Sequence, residues 1–100
     1  MARDALRVGT GHLPLLALRL VEEGGFETAL VGGWSRELLG VEPPRRHSDI
    51  DLVVTDADVA KLDAWLSTQD EIGAKRFPHK RAFLLEGVMV ELHLVRRVTE

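Results

Sequence analysis

The sequence predicts an α/β fold in a single domain. Three observations carry that reading: apolar runs of strand length alternate with amphipathic helical segments, glycines punctuate the boundaries between them, and no linker divides the chain. The 100 residues are 45% hydrophobic and 29% charged, which suits one compact unit over residues 1–100. A chain this short buries only roughly two-thirds of the surface its unfolded form exposes, so docking to itself or to a partner would add stability.

Residues 14–23 read as an amphipathic helix, with Pro14 in a favoured early position and Gly24 and Gly25 as its stop. FETALV, residues 26–31, is a short strand; Gly32 and Gly33 then turn the chain into a short helix, WSRELLG, closed by Gly40. The loop VEPPRRHS, stiffened by Pro43 and Pro44, delivers the chain to a strand DIDLVV at residues 49–54. Asp56 is expected to cap a second helix over 57–67, whose Val59, Leu62, Trp65 and Leu66 recur at helical spacing. Beyond Gly73, strands are expected at 75–78, 81–85 and 88–95, the last two joined by a turn at Glu86 and Gly87.

Composition excludes several classes. No cysteine is present, which removes disulfides, thiolate metal sites and Cys nucleophiles and is compatible with a reducing compartment. The longest apolar run, LPLLALRLV at 13–21, is interrupted by Arg19 and falls far short of the roughly 20 residues that span a bilayer. No membrane anchor is expected. No small-residue cleavage site follows the run, so a cytoplasmic location is expected. The net charge of -3 argues against general nucleic-acid binding. Basic residues nevertheless cluster at Arg45, Arg46 and His47, and again at Lys75, Arg76, His79, Lys80 and Arg81; both clusters are placed to face an anion.

The chemistry starts from RRHSDIDLVV, where two acids stand one residue apart on a strand entering the core. Period-2 alternation puts Ile50, Leu52 and Val54 on one face and Asp49, Asp51 and Val53 on the other. In VMVELHLV the same alternation groups Val88, Val90, Leu92 and Leu94 against Met89, Glu91, His93 and Val95. If the two strands are neighbours, Asp49, Asp51 and Glu91 converge, and three carboxylates that close need a counter-charge. A divalent cation supplies it. All-oxygen ligands on rigid strands suit Mg²⁺, with Mn²⁺ as an alternative, and Mg²⁺ commonly completes its shell with substrate phosphates. Phosphates have a place to go: Gly32 and Gly33 open a helix whose first amides are unpaired, and Ser35 adds a hydroxyl. Together these parts describe a nucleoside-triphosphate site, with Arg46 and His47, and after them Lys80 and Arg81, as further residues for its anionic groups.

In GGWSRELLG, RRHSDIDLVV and VMVELHLV the chain resembles the nucleotidyltransferases of the polymerase-beta superfamily, over residues 26–95. The combination of GGW with LLG, R-x-H-x-D-x-D and acid-x-His is most similar to the lincosamide and aminoglycoside antibiotic nucleotidyltransferases; a likeness to tRNA nucleotidyltransferases ranks below it. The resemblance implies a minimal nucleotidyltransferase fold, a mixed β-sheet flanked by helices. It implies that Asp49 and Asp51 bind metal, and that Glu91 binds metal and acts as base on the attacking hydroxyl. The reaction implied is transfer of a nucleoside monophosphate, AMP from ATP first, to a hydroxyl of a small-molecule acceptor such as an aminoglycoside or lincosamide antibiotic. Related antibiotic-modifying enzymes carry further C-terminal sequence that helps form the acceptor pocket, so the pocket is expected to be either missing or shared, in the second case through a homodimer or a helical partner protein.

Two alternatives stay open: a minimal nucleotidyltransferase acting on or neutralising a partner protein, as in toxin–antitoxin systems, and a nucleotide-binding module without turnover. Each residue also has a plainer reading. The aspartates are then an exposed acidic strand end and Glu91 a solvated edge position. The glycines are then a tight turn, Ser35 a helix-start residue, Arg36 a surface ion-pair partner, and Arg46 and His47 solvated loop charges. His93 has a structural reading, and Trp34 and Trp65 read as core or interface.

Overall fold

A computed structural model of the chain describes residues 12–32, 40 and 49–98. It is an α+β fold in which helices flank a five-stranded mixed sheet. Helix α1 spans His12–Glu23, strand β1 Glu27–Val31, strand β2 Asp49–Thr55 and helix α2 Val59–Leu66. Strand β3 (Asp70–Glu71), a 3₁₀ turn (Gly73–Lys75), strand β4 (Lys80–Leu85) and strand β5 (Val88–Val95) follow. The sheet order is β1-β2-β5-β4-β3; β2 and β5 are parallel and the remaining pairs antiparallel. The expected helix at 34–40, apart from Gly40, and the loop at 41–48 lie outside the described residues.

The alternation in β2 and β5 does what the sequence implies. Ile50, Leu52, Val54, Val90 and Leu92 are fully buried on one face, joined there by Phe83 of β4. Ala17 and Val21 of α1 and Leu62 and Leu66 of α2 cover that face, so both helices lie on the same side of the sheet. Each such side chain contributes roughly 1.5–3 kcal/mol by leaving water. Trp65 stands edge-on to Phe26 at 6.1 Å and to Phe83 at 5.5 Å. Its indole lies against Gly24, where an added Cβ would come within 2.7 Å of the ring nitrogen. Asp49, Asp51, Glu91 and His93 point to the opposite face.

Two sequence expectations are corrected. Asp58, not Asp56, caps α2, its carboxylate accepting from the Ala60 and Lys61 amides at 3.1 and 3.3 Å. Asp56 is still tied to the sheet: its N–H donates to the Val95 carbonyl at 2.8 Å, and its carboxylate accepts from the Arg97 amide at 2.8 Å. Residues 75–78 are not a strand. Gly73–Lys75 forms the 3₁₀ turn, Phe77 and Lys80 make an isolated bridge around Pro78 and His79, and Pro78 has no N–H to give a ladder. The strand that pairs with β4 is instead Asp70–Glu71, too short to announce itself by alternation. The hairpin turn at Glu86 and Gly87 is as expected, both residues having positive φ (51° and 80°), the signature of a two-residue type I′ loop.

Candidate active site

The site is built by register. In the parallel β2–β5 pair, Asp51 stands opposite Glu91, Asp49 opposite Met89 and Val53 opposite His93. Residues directly opposite share a face, so Asp51, Glu91 and His93 converge, and one ligand atom from each lies within 4.8 Å of the others. Asp51 is held by His93, whose Nε2–H donates to Oδ1 at 3.1 Å. Glu91 is buried, only 7% exposed, and its Oε2 meets the ammonium of Lys80 at 3.4 Å and that of Lys75 at 3.9 Å.

Asp49 completes the acidic face without joining this tight group. Burial raises its carboxyl above the ordinary range, and the negative charges of Asp51 and then Glu91 raise it further, against the weaker pull of Lys80 and His93. The carboxylate oxygens of Asp49, Asp51 and Glu91 are a donor set that fits Mg²⁺ or Mn²⁺.

Gly32 closes the site from the β1 side. Val31 pairs with Asp51, so the chain leaves β1 beside the carboxylate. Gly32 has φ +77°, and a Cβ added there would lie 2.9 Å from Asp51 Oδ2. The bare Cα is what lets the backbone pass that close.

The residues singled out from sequence are distributed as follows. Asp49, Asp51, Glu91 and Gly32 come together. Arg81 does not, and its expected nucleotide role is corrected. It pairs with Leu92 and so faces the helices, 7% exposed, with Nε donating to Asp63 Oδ1 at 2.8 Å and Nη1 to the Lys80 carbonyl at 2.9 Å. That hydrogen-bonded guanidinium holds the Asp63 carboxyl below the usual carboxylate range. Gly33, Ser35, Arg46 and His47 lie outside the described residues. The sequence put His93 on the Glu91 face and Lys80 in a cluster placed to face an anion; what it did not show is that His93 bonds Asp51 and that Lys80 pairs with Glu91 itself. The signal for both was parity: His93 is two residues from Glu91, and Lys80 has the opposite parity to Arg81.

No protein-family model matches the chain, and no curated protein matches it. No helix among the described residues is long and apolar enough to cross a membrane.

Proposed function

We propose that this chain carries the catalytic site of a metal-dependent nucleotidyltransferase that moves a nucleoside monophosphate, AMP from ATP in the first instance, onto a hydroxyl of a small-molecule acceptor. The observation that supports it best is the in-register facing of Asp51 and Glu91 on adjacent parallel strands, with Gly32 against Asp51. The acceptor class, an aminoglycoside or lincosamide, rests on the resemblance in GGWSRELLG, RRHSDIDLVV and VMVELHLV.

Asp49, Asp51 and Glu91 would hold a divalent cation, Mg²⁺ or Mn²⁺, which when bound neutralises phosphate charge and lowers the cost of the developing oxyanions. His93 fixes the orientation of Asp51 through its 3.1 Å hydrogen bond. Gly32 leaves the approach to Asp51 clear of side chain. Glu91 takes the proton of the acceptor hydroxyl as its oxygen attacks the α-phosphorus in line. The bond from the α-phosphorus to the bridging oxygen breaks, and pyrophosphate departs with the electron pair. Glu91 stands opposite Asp51 on the adjacent strand, which places its carboxylate on the same face as the acids that would hold the cation.

The test is incubation with α-labelled ATP, Mg²⁺ and a panel of aminoglycosides and lincosamides. Label transferred to an acceptor, and lost in Asp51→Asn, supports the proposal. Nucleotide bound without transfer to any acceptor points to the binding module instead.

A further inference from the structure

Five basic residues lie between 75 and 81, and the side chains of four of them, Lys75, Arg76, Lys80 and Arg81, divide between two tasks. Arg81 and Arg76 are structural tethers. Arg81 grips Asp63 and the carbonyls of Phe77 and Lys80, while Arg76 forks onto Glu71 with bonds of 3.0 and 2.8 Å and reaches Asp63 at 3.3 Å. These bonds pin the turn between the 3₁₀ segment and β4. Lys75 and Lys80, at the two ends of that pinned turn, project to the other side of the sheet and meet at one atom, Glu91 Oε2. Glu91 is buried, yet the two lysines are not: their side chains are 42% and 33% exposed. An ammonium on a flexible stem with access to water can exchange partners, which a locked guanidinium fork cannot.

We propose, on the nucleotidyltransferase reading above, that Lys80, backed by Lys75, is an exchangeable counter-ion. In the metal-free protein it neutralises Glu91. When Glu91 turns to a divalent cation, the released ammonium binds the polyphosphate of the nucleotide. A buried carboxylate left without a partner is costly, so the two lysines hold Glu91 in place before loading. Two like charges cannot share Glu91 Oε2 with a metal, so occupancy by the cation drives the ammonium groups outward, and a nucleotide's phosphates are the anions that receive them. The same residue therefore opposes the metal and favours the nucleotide.

That pairing of opposite signs is the test. Mn²⁺ is titrated calorimetrically into the full chain, and a nonhydrolysable ATP analogue is titrated separately at saturating Mg²⁺, for wild type, Lys80→Met and the exposed-helix control Lys61→Met. Lys80→Met is expected to bind Mn²⁺ about 3- to 10-fold more tightly and the analogue about 10-fold more weakly, the scale of one partly exposed ion pair and one charge-assisted hydrogen bond. Lys61→Met is expected to change neither. Lys75→Met gives the same signs at smaller size and carries the test should Lys80→Met fold poorly. Both affinities falling together, or both unchanged, overturns the proposal while leaving the nucleotidyltransferase reading intact. Wild-type Mn²⁺ binding no tighter than that of Asp51→Asn overturns both.

Discussion

Gly32→Ala is the most informative single change because its cost separates into two parts that the molecule itself allows to be measured apart. The backbone part is the penalty for a Cβ in the left-handed region at φ +77°, about 1–2 kcal/mol. Gly40 has the same φ of +77° with nothing among the described residues within 4 Å of an added Cβ, so Gly40→Ala is the reference for that part. The second part exists only at Gly32, where the new Cβ would sit 2.9 Å from Asp51 Oδ2. Asp51 Cβ and Cγ, at 3.5 and 3.6 Å, are in ordinary contact, so the carboxylate must rotate while its stem stays. Rotation costs about 0.5–1.5 kcal/mol off a rotamer minimum, and it breaks the hydrogen bond from His93, worth about 0.5–1.5 kcal/mol. Gly32→Ala should therefore lose about 2–5 kcal/mol in urea unfolding against about 1–2 for Gly40→Ala. Only Gly32→Ala should weaken Mn²⁺ binding. Equal stability losses together with equal Mn²⁺ affinities would refute the claim that Gly32 is shaped around Asp51.

Three further outcomes follow from named contacts. Asp49 has its carboxyl pushed up by burial and by Asp51 and Glu91, so its contribution to stability is present at low pH and lost as pH rises through that raised value; Asp49→Asn should raise the melting temperature of the metal-free chain at neutral pH, and Mg²⁺ should narrow the difference. Asp63 is the reverse: Arg81 depresses its carboxyl, so its stabilisation is present above the ordinary carboxylate range and lost as pH falls through the depressed value. Asp63→Asn should cost about 1–3 kcal/mol at neutral pH in urea unfolding, a difference that shrinks when the melts are repeated below about pH 4. Asp58→Ala removes the cap of α2 and should cost about 1 kcal/mol by the same assay, whereas Asp56→Ala, which loses the bond from Arg97 N–H, should leave the helix content seen by circular dichroism unchanged.

The face of each strand was legible because period-2 alternation is fixed by backbone geometry, and that is why Asp51 and Glu91 could be assigned to one side before any coordinates. Their being opposite neighbours was not legible: β2 and β5 are separated by α2, β3 and β4, and which strand pairs with which is decided by packing. The His93–Asp51 and Lys80–Glu91 contacts follow from that register and were not legible for the same reason. Arg81 was misplaced for a simpler reason. It was grouped with the basic cluster by proximity in sequence, although its alternation with Ala82 and Phe83 put it on the helix side with Asp63. Asp56 and Asp58 offer the same capping chemistry two residues apart, and the choice between them turned on the Asp56 amide bonding Val95 across the sheet, a contact no local pattern encodes.

The central claim is that the acids of β2 and β5 share a divalent cation. Crystals soaked in Mn²⁺ and measured at the manganese absorption edge test it most directly. The account predicts an anomalous peak within coordination distance of Asp51 and Glu91 carboxylate oxygens, lost in Asp51→Asn crystals. No peak there in Mn²⁺-soaked wild-type crystals, with the Lys80 ammonium still on Glu91, would contradict it.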